Sequence, residues 1–356
     1  MKIFIIAEAG VNHNGSLGLA LELVRTAAAA GADAVKFQSF RAEKLATSLA
    51  PKAGYQVETT GGRESQLEML ARLELTEEAH REIVGCCREA GIEFMSTPFD
   101  HESLALLLDL GVSRLKIPSG EITNAPLLLD MAKTNLPLIV STGMCSLGDI
   151  ETALGVLAFG LLRTGEQPSA AAFEQAYSSV QGQSVLKDKI ILLHCTTQYP
   201  TPYEDVNLRA MDTLAKAFSL RVGYSDHTLG IVVPIAAAAR GAVVIEKHFT
   251  LDKSLPGPDH RASLEPDELK AMVRAVRNIE QALGSGVKKA SPSELENKAV
   301  VRKSLVAAKN IQSGDTFSPQ NLTCKRPGTG ISPMRYFDFL GRTAARNYHK
   351  DEMISQ

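Results

Sequence analysis

The chain has 356 residues, 44% of them apolar and 22% charged, which supplies a sizeable core and excludes a disordered or collagen-like polymer. At about 150 residues per domain the length points to two domains, or one large domain with an appendage. Thirty-eight basic and 40 acidic side chains give a formal net charge of −2, so no basic footprint argues for nucleic acid or an anionic membrane.

No apolar run reaches the roughly 18 residues of a membrane span, and the opening stretch Ile3–Ile6 meets Glu8 too early for a signal peptide. The five cysteines (86, 87, 145, 195, 324) form no CxxC pair and no even framework, which fits a reducing, cytoplasmic setting. Tryptophan is absent and aromatics make up 5%, so stacking platforms for bases or glycans are poorly supplied. A cytoplasmic enzyme is the expectation.

In chain order, eight short apolar runs are predicted as strands. They are Ile3–Gly10, Ala32–Gln38, Ile92–Pro98, Arg114–Ser119, Leu136–Thr142, Lys189–Cys195, Leu220–Asp226 and Ala242–Thr250. Between them lie amphipathic stretches with helical spacing, among them Leu17–Ala30, Glu77–Ala90, Ala125–Lys133, Arg209–Phe218 and Pro266–Leu283. Gly31, Gly91, Gly111 and Gly241 stand where helices should stop before the next strand. Apolar strands alternating with helices imply a parallel sheet with a covered outer face, and eight such units match a closed (β/α)8 TIM barrel over residues 1–283. A doubly wound open sheet is the alternative. The polar stretch 39–76 reads as a loop on the substrate side, and 157–188 as a surface insertion without a role. Residues 284–299 read as a linker, and 300–356, too few for a large core, as a small β-rich domain.

Residues two apart on a strand share a face. One face of the strand ends reads Glu8; Lys36 and Gln38; Thr97; Lys116; Thr142; His194 and Thr196; Ser225 and His227; Glu246 and His248. Polar residues on every strand are costly unless they line a site, and the C-terminal ends of barrel strands are where active sites sit. His227 and His248, on neighbouring strands and without thiolates, suit an open divalent site for Mn²⁺, Co²⁺ or Mg²⁺ better than structural zinc. Lys36 and Lys116 with Thr97, Ser119 and Ser225 form a cationic, hydroxyl-rich pocket for phosphate or carboxylate. Either lysine could instead form a Schiff base with a carbonyl substrate, and spacing alone does not separate the two readings.

Several motifs together are distinctive: Ala7–Gly15 (AEAGVNHNG), Val35–Gln38 (VKFQ), Met95–Asp100 (MSTPFD), Leu115–Glu121 (LKIPSGE) and Ser141–Met144 (STGM). They continue with Leu193–Thr196 (LHCT), Tyr199-Pro200, Gly223–Thr228 (GYSDHT), Glu246–Thr250 (EKHFT), Pro256–Asp259 (PGPD) and Lys325–Gly328 (KRPG). In this order the chain resembles the sialic acid synthase family over nearly its whole length, residues 157–188 apart. The resemblance implies a metal-dependent barrel that condenses phosphoenolpyruvate with N-acetylmannosamine and water to give N-acetylneuraminate and phosphate. It implies a C-terminal antifreeze-like (SAF) domain and a domain-swapped homodimer, in which that domain covers the partner's barrel mouth. His227 and His248 match the metal ligands, with Mn²⁺ the expected ion. Lys36, Thr97, Lys116, Ser119 and Ser225 match phosphoenolpyruvate contacts, and Glu121 falls in one of these motifs as a further substrate contact. Glu8, Gln38, Tyr199, Glu246 and Asp259 match sugar-side or catalytic positions, Glu8 and Glu246 being candidates for handling the water or a proton. Arg326 matches a residue offered across the dimer to the N-acetyl group. Thr197 stands where some members carry Asn. Related synthases share these motifs but take a 2,4-diacetamido-6-deoxy mannose (legionaminate) or its altrose relative (pseudaminate). Gly54-Tyr55-Gln56 looks more like the neuraminate and legionaminate branches. A non-catalytic carbohydrate-binding scaffold is the rival from another class, and the intact lysines and histidines argue against it.

Overall fold

The computed structural model describes residues 2–163 and 165–355. They divide into two compact units, the first ending at Gly284 and the second starting at Ser285. In the first unit the strands are β1 (Phe4–Gly10), β2 (Ala34–Ser39), β3 (Glu93–Pro98), β4 (Leu115–Ile117), β5 (Leu138–Ser141), β6 (Ile190–His194), β7 (Arg221–Asp226) and β8 (Val244–His248). All pair in parallel in the order β3-β2-β1-β8-β7-β6-β5-β4, and β3 lies beside β4, so the sheet curls into a nearly closed barrel. The open sheet is therefore set aside.

The helices of this unit are α1 (Leu17–Ala30), α2 (Ala42–Leu45), α3 (Gly54–Thr60), α4 (Gln66–Ala71), α5 (Glu77–Ala90), α6 (His101–Asp109), α7 (Ala125–Lys133), α8 (Leu147–Leu162), α9 (Ala170–Ser178), α10 (Val180–Lys189), α11 (Ala210–Phe218), α12 (Val232–Ala239) and α13 (Pro266–Leu283). Their limits follow local chemistry. The Ser16 and Thr76 side chains accept the backbone N–H of Leu19 and Ala79, and α1 and α5 stop at Gly31 and Gly91 in left-handed conformation. Two stretches differ from the sequence reading. Residues 40–71, expected as a loop, carry the short helices α2, α3 and α4. Within the 157–188 insertion, residues 157–162 belong to α8, and α9 and α10 follow, with Phe159 edge-on to Phe173 at 5.2 Å.

Every strand is buried on both faces. Ile5, Ala7, Val35 and Phe37 face outward against Leu23, Val24 and Ala27 of α1. Inside, Ile6, Ala34, Met95, Ile139, Leu193 and Val244 close the N-terminal end of the barrel in one apolar layer. The β7 member of this layer is Gly223. A Cβ there would stand 2.5 Å from the Val244 carbonyl oxygen and 2.6 Å from a Leu193 methyl. This layer is a floor, and the polar layer above it is the site.

The second unit holds α14 (Pro292–Val301) and the antiparallel pair β9 (Ser304–Ala307) and β10 (Leu322–Lys325). The helix falls largely within the stretch expected as linker. Leu305, Ile311, Phe317, Leu322, Phe339, Tyr348 and Ile354 form a small core of their own. Among the described residues no helix is long and apolar enough to cross a membrane.

Gly223→Ala should destabilise the barrel by about 1–3 kcal/mol, the usual cost of overpacking a filled interior. Urea denaturation followed by far-UV circular dichroism measures this; an unchanged midpoint would mean that the floor yields.

Candidate active site

Above the apolar floor each strand contributes one small or polar side chain to the interior. These are Glu8, Lys36, Thr97, Lys116, Ser141, Cys195 just past β6, Ser225 and Glu246. They line a cavity of about 290 Å³ that opens at the C-terminal end of the barrel. One step higher stand Gln38, Ser119, Thr197, Tyr199, His227 and His248.

Two buried ammonium groups face two buried carboxylates. Lys36 Nζ lies 2.6 Å from Glu8 Oε2 and 3.6 Å from Glu246 Oε2, and donates to Thr97 Oγ1 at 3.0 Å. Lys116 Nζ donates to Glu246 Oε1 at 3.0 Å, and Ser225 Oγ donates to the same oxygen at 2.8 Å. Burial alone would drive both carboxyls toward the neutral form. For Glu246, Lys116 and Lys36 outweigh burial and hold the carboxylate well below the usual range. For Glu8, burial wins over Lys36, the negative charge of Glu246 adds to it, and the pKa is pushed up to about 7. Burial likewise works against the Lys36 charge, but Glu246 and Glu8 keep its pKa above the ordinary value. A Schiff-base lysine must shed its proton readily, so Lys36 is suited to hold anions and unsuited to attack a carbonyl.

His227 and His248 stand with ring centroids 5.7 Å apart, and the Tyr199 ring lies 4.1 Å from the first and 5.6 Å from the second. His227 Nδ1 donates to the Thr196 carbonyl at 2.6 Å, which leaves Nε2 as the lone-pair nitrogen. His248 Nδ1 is buried without a hydrogen-bond partner, 3.8 Å from Asp259 Oδ2. Burial lowers the His227 pKa to about 4 and that of His248 well below its ordinary value, so both rings are neutral, the form that binds metal. Among the described residues no three or more His, Cys, Asp or Glu are placed so that they could hold a metal ion together. The donor set fits a divalent ion held by two imidazoles, with its remaining ligands drawn from substrate or water.

Glu8, Lys36, Gln38, Thr97, Lys116, Ser119, Tyr199, Ser225, His227, Glu246 and His248 thus line one cavity. Asp259 is buried behind His248, its carboxyl pushed up to about 6 by burial. Glu121 is not among the cavity's lining residues. It closes a 3-10 turn, Ser119–Glu121, and accepts at 2.7 Å from Asn124, the residue that caps α7. Arg326 is exposed on the second unit.

On β5 and β6 the sequence-based phase is one residue out. Thr142 and His194 do not face the interior; Thr142 Oγ1 donates to the Leu193 carbonyl and His194 Nε2 to that of Val206. Ser141 and Cys195 take the interior positions instead. Strands buried on both faces carry no polar alternation to set the phase. Gly143 also does more than complete a motif. Its N–H donates to Ser119 Oγ at 2.9 Å, and a Cβ there would lie 2.3 Å from Thr197 Oγ1 and 2.8 Å from Ser119 Oγ. Tyr55, Gln56 and Gln66 enter the lining from α3 and α4, which composition marks only as a loop.

Residues 23–288 match the NeuB family and residues 302–356 the SAF domain. The chain belongs to the NeuB family. It is 53% identical to the N,N'-diacetyllegionaminic acid synthase of Campylobacter jejuni, over 100% of this chain and 99% of that one. It is 49% identical to the synthase of the same name from Legionella pneumophila, over 98% and 92%. Among solved structures, the N-acetylneuraminic acid (sialic acid) synthetase of Leptospira borgpetersenii, in complex with citrate, superposes with a TM-score of 0.66 at 34% identity, over 83% of this chain and 90% of that one.

The raised Glu8 pKa has a sign for stability. The native state binds this proton more tightly than the unfolded chain, so folding loses free energy as pH rises from the ordinary 4.5 through about 7. Glu8→Gln removes that dependence. Its stability relative to the wild type should therefore increase between pH 5 and pH 8 in urea titrations, and a constant difference would refute the assignment.

Proposed function

We propose that this NeuB-family protein is a nonulosonate synthase that condenses phosphoenolpyruvate with 2,4-diacetamido-6-deoxy mannose and water, giving N,N'-diacetyllegionaminate and phosphate. The observation that carries the reaction class is the pair of buried ammonium groups, Lys36 and Lys116, beside two neutral imidazoles in one cavity. The choice of sugar departs from N-acetylmannosamine, the first expectation. Relatives at 53% and 49% identity bear the legionaminic name, whereas the neuraminic acid synthetase stands at 34%.

In this reading Lys36 and Lys116 hold the phosphate and carboxylate of phosphoenolpyruvate, with Thr97, Ser119 and Ser141 as neutral donors and Ser225 joining them by turning its hydroxyl from Glu246. Fixing both anionic ends fixes the face of the double bond that meets the aldehyde. His227 and His248 would hold a divalent ion, which would supply Lewis-acid polarisation of that aldehyde. C3 of phosphoenolpyruvate forms the new bond to the aldehyde carbon, and positive charge develops at C2. Water adds to C2 and gives a proton to Glu8, whose pKa near 7 suits it to take and return one at neutral pH. The tetrahedral intermediate then collapses to the C2 ketone by cleavage of the C2–O bond to phosphate, its hydroxyl proton leaving with the phosphate while Glu8 returns its own proton to the alkoxide left by the aldehyde. Glu246 stays ionised throughout and holds the two lysines in place.

Phosphate release from phosphoenolpyruvate, measured with this sugar and with N-acetylmannosamine in the presence of Mn²⁺, tests the reading. Chelation should stop release and Mn²⁺ should restore it. His227→Ala and His248→Ala should each lose activity and Mn²⁺ binding while keeping the wild-type circular dichroism spectrum. Activity that survives chelation, together with borohydride trapping of pyruvate, would replace the synthase by a Schiff-base aldolase.

The same proposal includes Arg326, offered to the sugar site of a partner subunit in a homodimer. Mixing inactive Arg326→Ala subunits with inactive His227→Ala subunits should restore activity, to about half per mixed dimer, since one of its two sites is then whole. Verified mixed dimers that stay inactive would exclude the contribution across the interface.

A further inference from the structure

The cavity has two chemically distinct ends. Its deep end carries Glu8, Lys36, Lys116 and Glu246, whereas no charged side chain enters the lining from residues 40–71 or from Phe99. That second wall consists of Leu45, Leu70, Phe99, Tyr55, Gln56 and Gln66. It is not a loose flap, because Leu45, Leu70 and Phe99 also pack on the buried cluster Val11, Phe40, Met69 and Leu73. Tyr55 joins it to the imidazole side, its ring 5.0 Å from that of Tyr199, which in turn lies tilted against His227.

We infer that this wall selects the sugar: Leu45, Leu70 and Phe99 receive the methyl at C6 of a 6-deoxy amino sugar, and Gln66 reads the amide at its C4. The inference rests on the synthase reading. Bond formation places the aldehyde carbon beside phosphoenolpyruvate, so the phosphate and carboxylate occupy the charged end and C4–C6 of the sugar extend away from it. The helices α2, α3 and α4 follow the C-terminal end of β2 and so stand at the cavity's open side.

The chemistry of the wall separates the candidate sugars. N-acetylmannosamine would turn hydroxyls at C4 and C6 onto it. Leu45, Leu70 and Phe99 offer a hydroxymethyl group no partner, and a hydroxyl buried without one is costly; a methyl loses nothing there. The two glutamines differ in what they have free. Gln56 Oε1 already accepts the Ala53 N–H at 2.9 Å. The Gln66 side chain is half-buried and has no hydrogen-bond partner among the described residues, which leaves both a donor and an acceptor for a second amide. Apolar contacts of this kind discriminate by roughly ten- to a hundredfold, whereas a lost amide pairing can cost more.

The experiment is the ratio of kcat/KM for 2,4-diacetamido-6-deoxy mannose to that for N-acetylmannosamine. In the wild type this ratio should exceed one. In Leu45→Asn it should fall by about tenfold or more, as should the ratio in Gln66→Ala, where the loss lies in KM for the diacetamido sugar more than in kcat. Gln66→Ala, on half-buried α4, keeps the test open if the leucine variant does not fold. Both sugars losing the same factor, or an unchanged ratio, overturns the inference. A wild type that prefers N-acetylmannosamine overturns it too, yet leaves a synthase. No phosphate release with either of these sugars or with the 2,4-diacetamido-6-deoxy altrose relative would instead remove the synthase reading itself.

Discussion

Glu246 is the group on which the arrangement of the barrel interior depends. One carboxylate oxygen accepts from both Lys116 and Ser225, and the other faces Lys36 at 3.6 Å. Two ammonium groups in a closed apolar barrel would repel each other and resist burial, and each would lower its cost by losing its proton. With Glu246 between them, and Glu8 on Lys36, the two cations face one fixed carboxylate and one that ionises near neutral pH, and the site can be assembled before any anion arrives. The arrangement is costly compared with an apolar core of the same volume, which marks it as selected for chemistry rather than stability.

The two carboxyls then divide their work by environment. Glu246 shares two cations and a hydroxyl, so its charge is fixed. Glu8 has Lys36 alone, the repulsion of Glu246 and full burial, which leave it poised near neutrality. Titratable groups pushed apart by their surroundings are how one cavity keeps a permanent counter-ion and a mobile proton a few ångströms from each other. The histidines show the same division. Burial keeps both neutral, and the Thr196 carbonyl commits Nδ1 of His227, so the ring can offer only Nε2.

Much of this was legible in the sequence, for identifiable reasons. Eight apolar runs separated by helical spacing pointed to the barrel, because the parallel strands are buried on both faces and helices such as α1 and α5 stop at a left-handed glycine. Glu8, Lys36, Thr97, Lys116, Ser225 and Glu246 were legible because a charged or hydroxyl residue inside an apolar run is costly to bury unless it lines a site. The same burial hid the phase of β5 and β6, where Ser141 and Cys195 are small enough to pass as core while Thr142 and His194 look functional. Residues 40–71 carried no periodic signal over three helices of only 4 to 7 residues, so the stretch could be read as lying on the substrate side but its helices could not. Glu121 sits in a motif rich in site residues, and in the structure its carboxylate accepts from the Asn124 side chain at the start of α7.

These two classes of element also differ in what change they tolerate. The deep end is built on strand positions whose neighbours are fixed by the barrel. The Gly223 position leaves no room for a methyl between Val244 and Leu193, and Gly143 leaves none between Ser119 and Thr197. Substitution there disturbs the floor or the anion pocket directly. The outer wall instead hangs on short helices between β2 and β3, anchored by Leu45, Leu70 and Phe99 on a small satellite cluster separate from the main core. A side chain can be exchanged on that wall without moving a strand, because the helices are held by their own packing. A barrel that keeps its ammonium groups, carboxylates and imidazoles on the strands, and its sugar-facing wall on an inserted segment, can therefore alter which sugar it admits while the bond-forming end stays as it is.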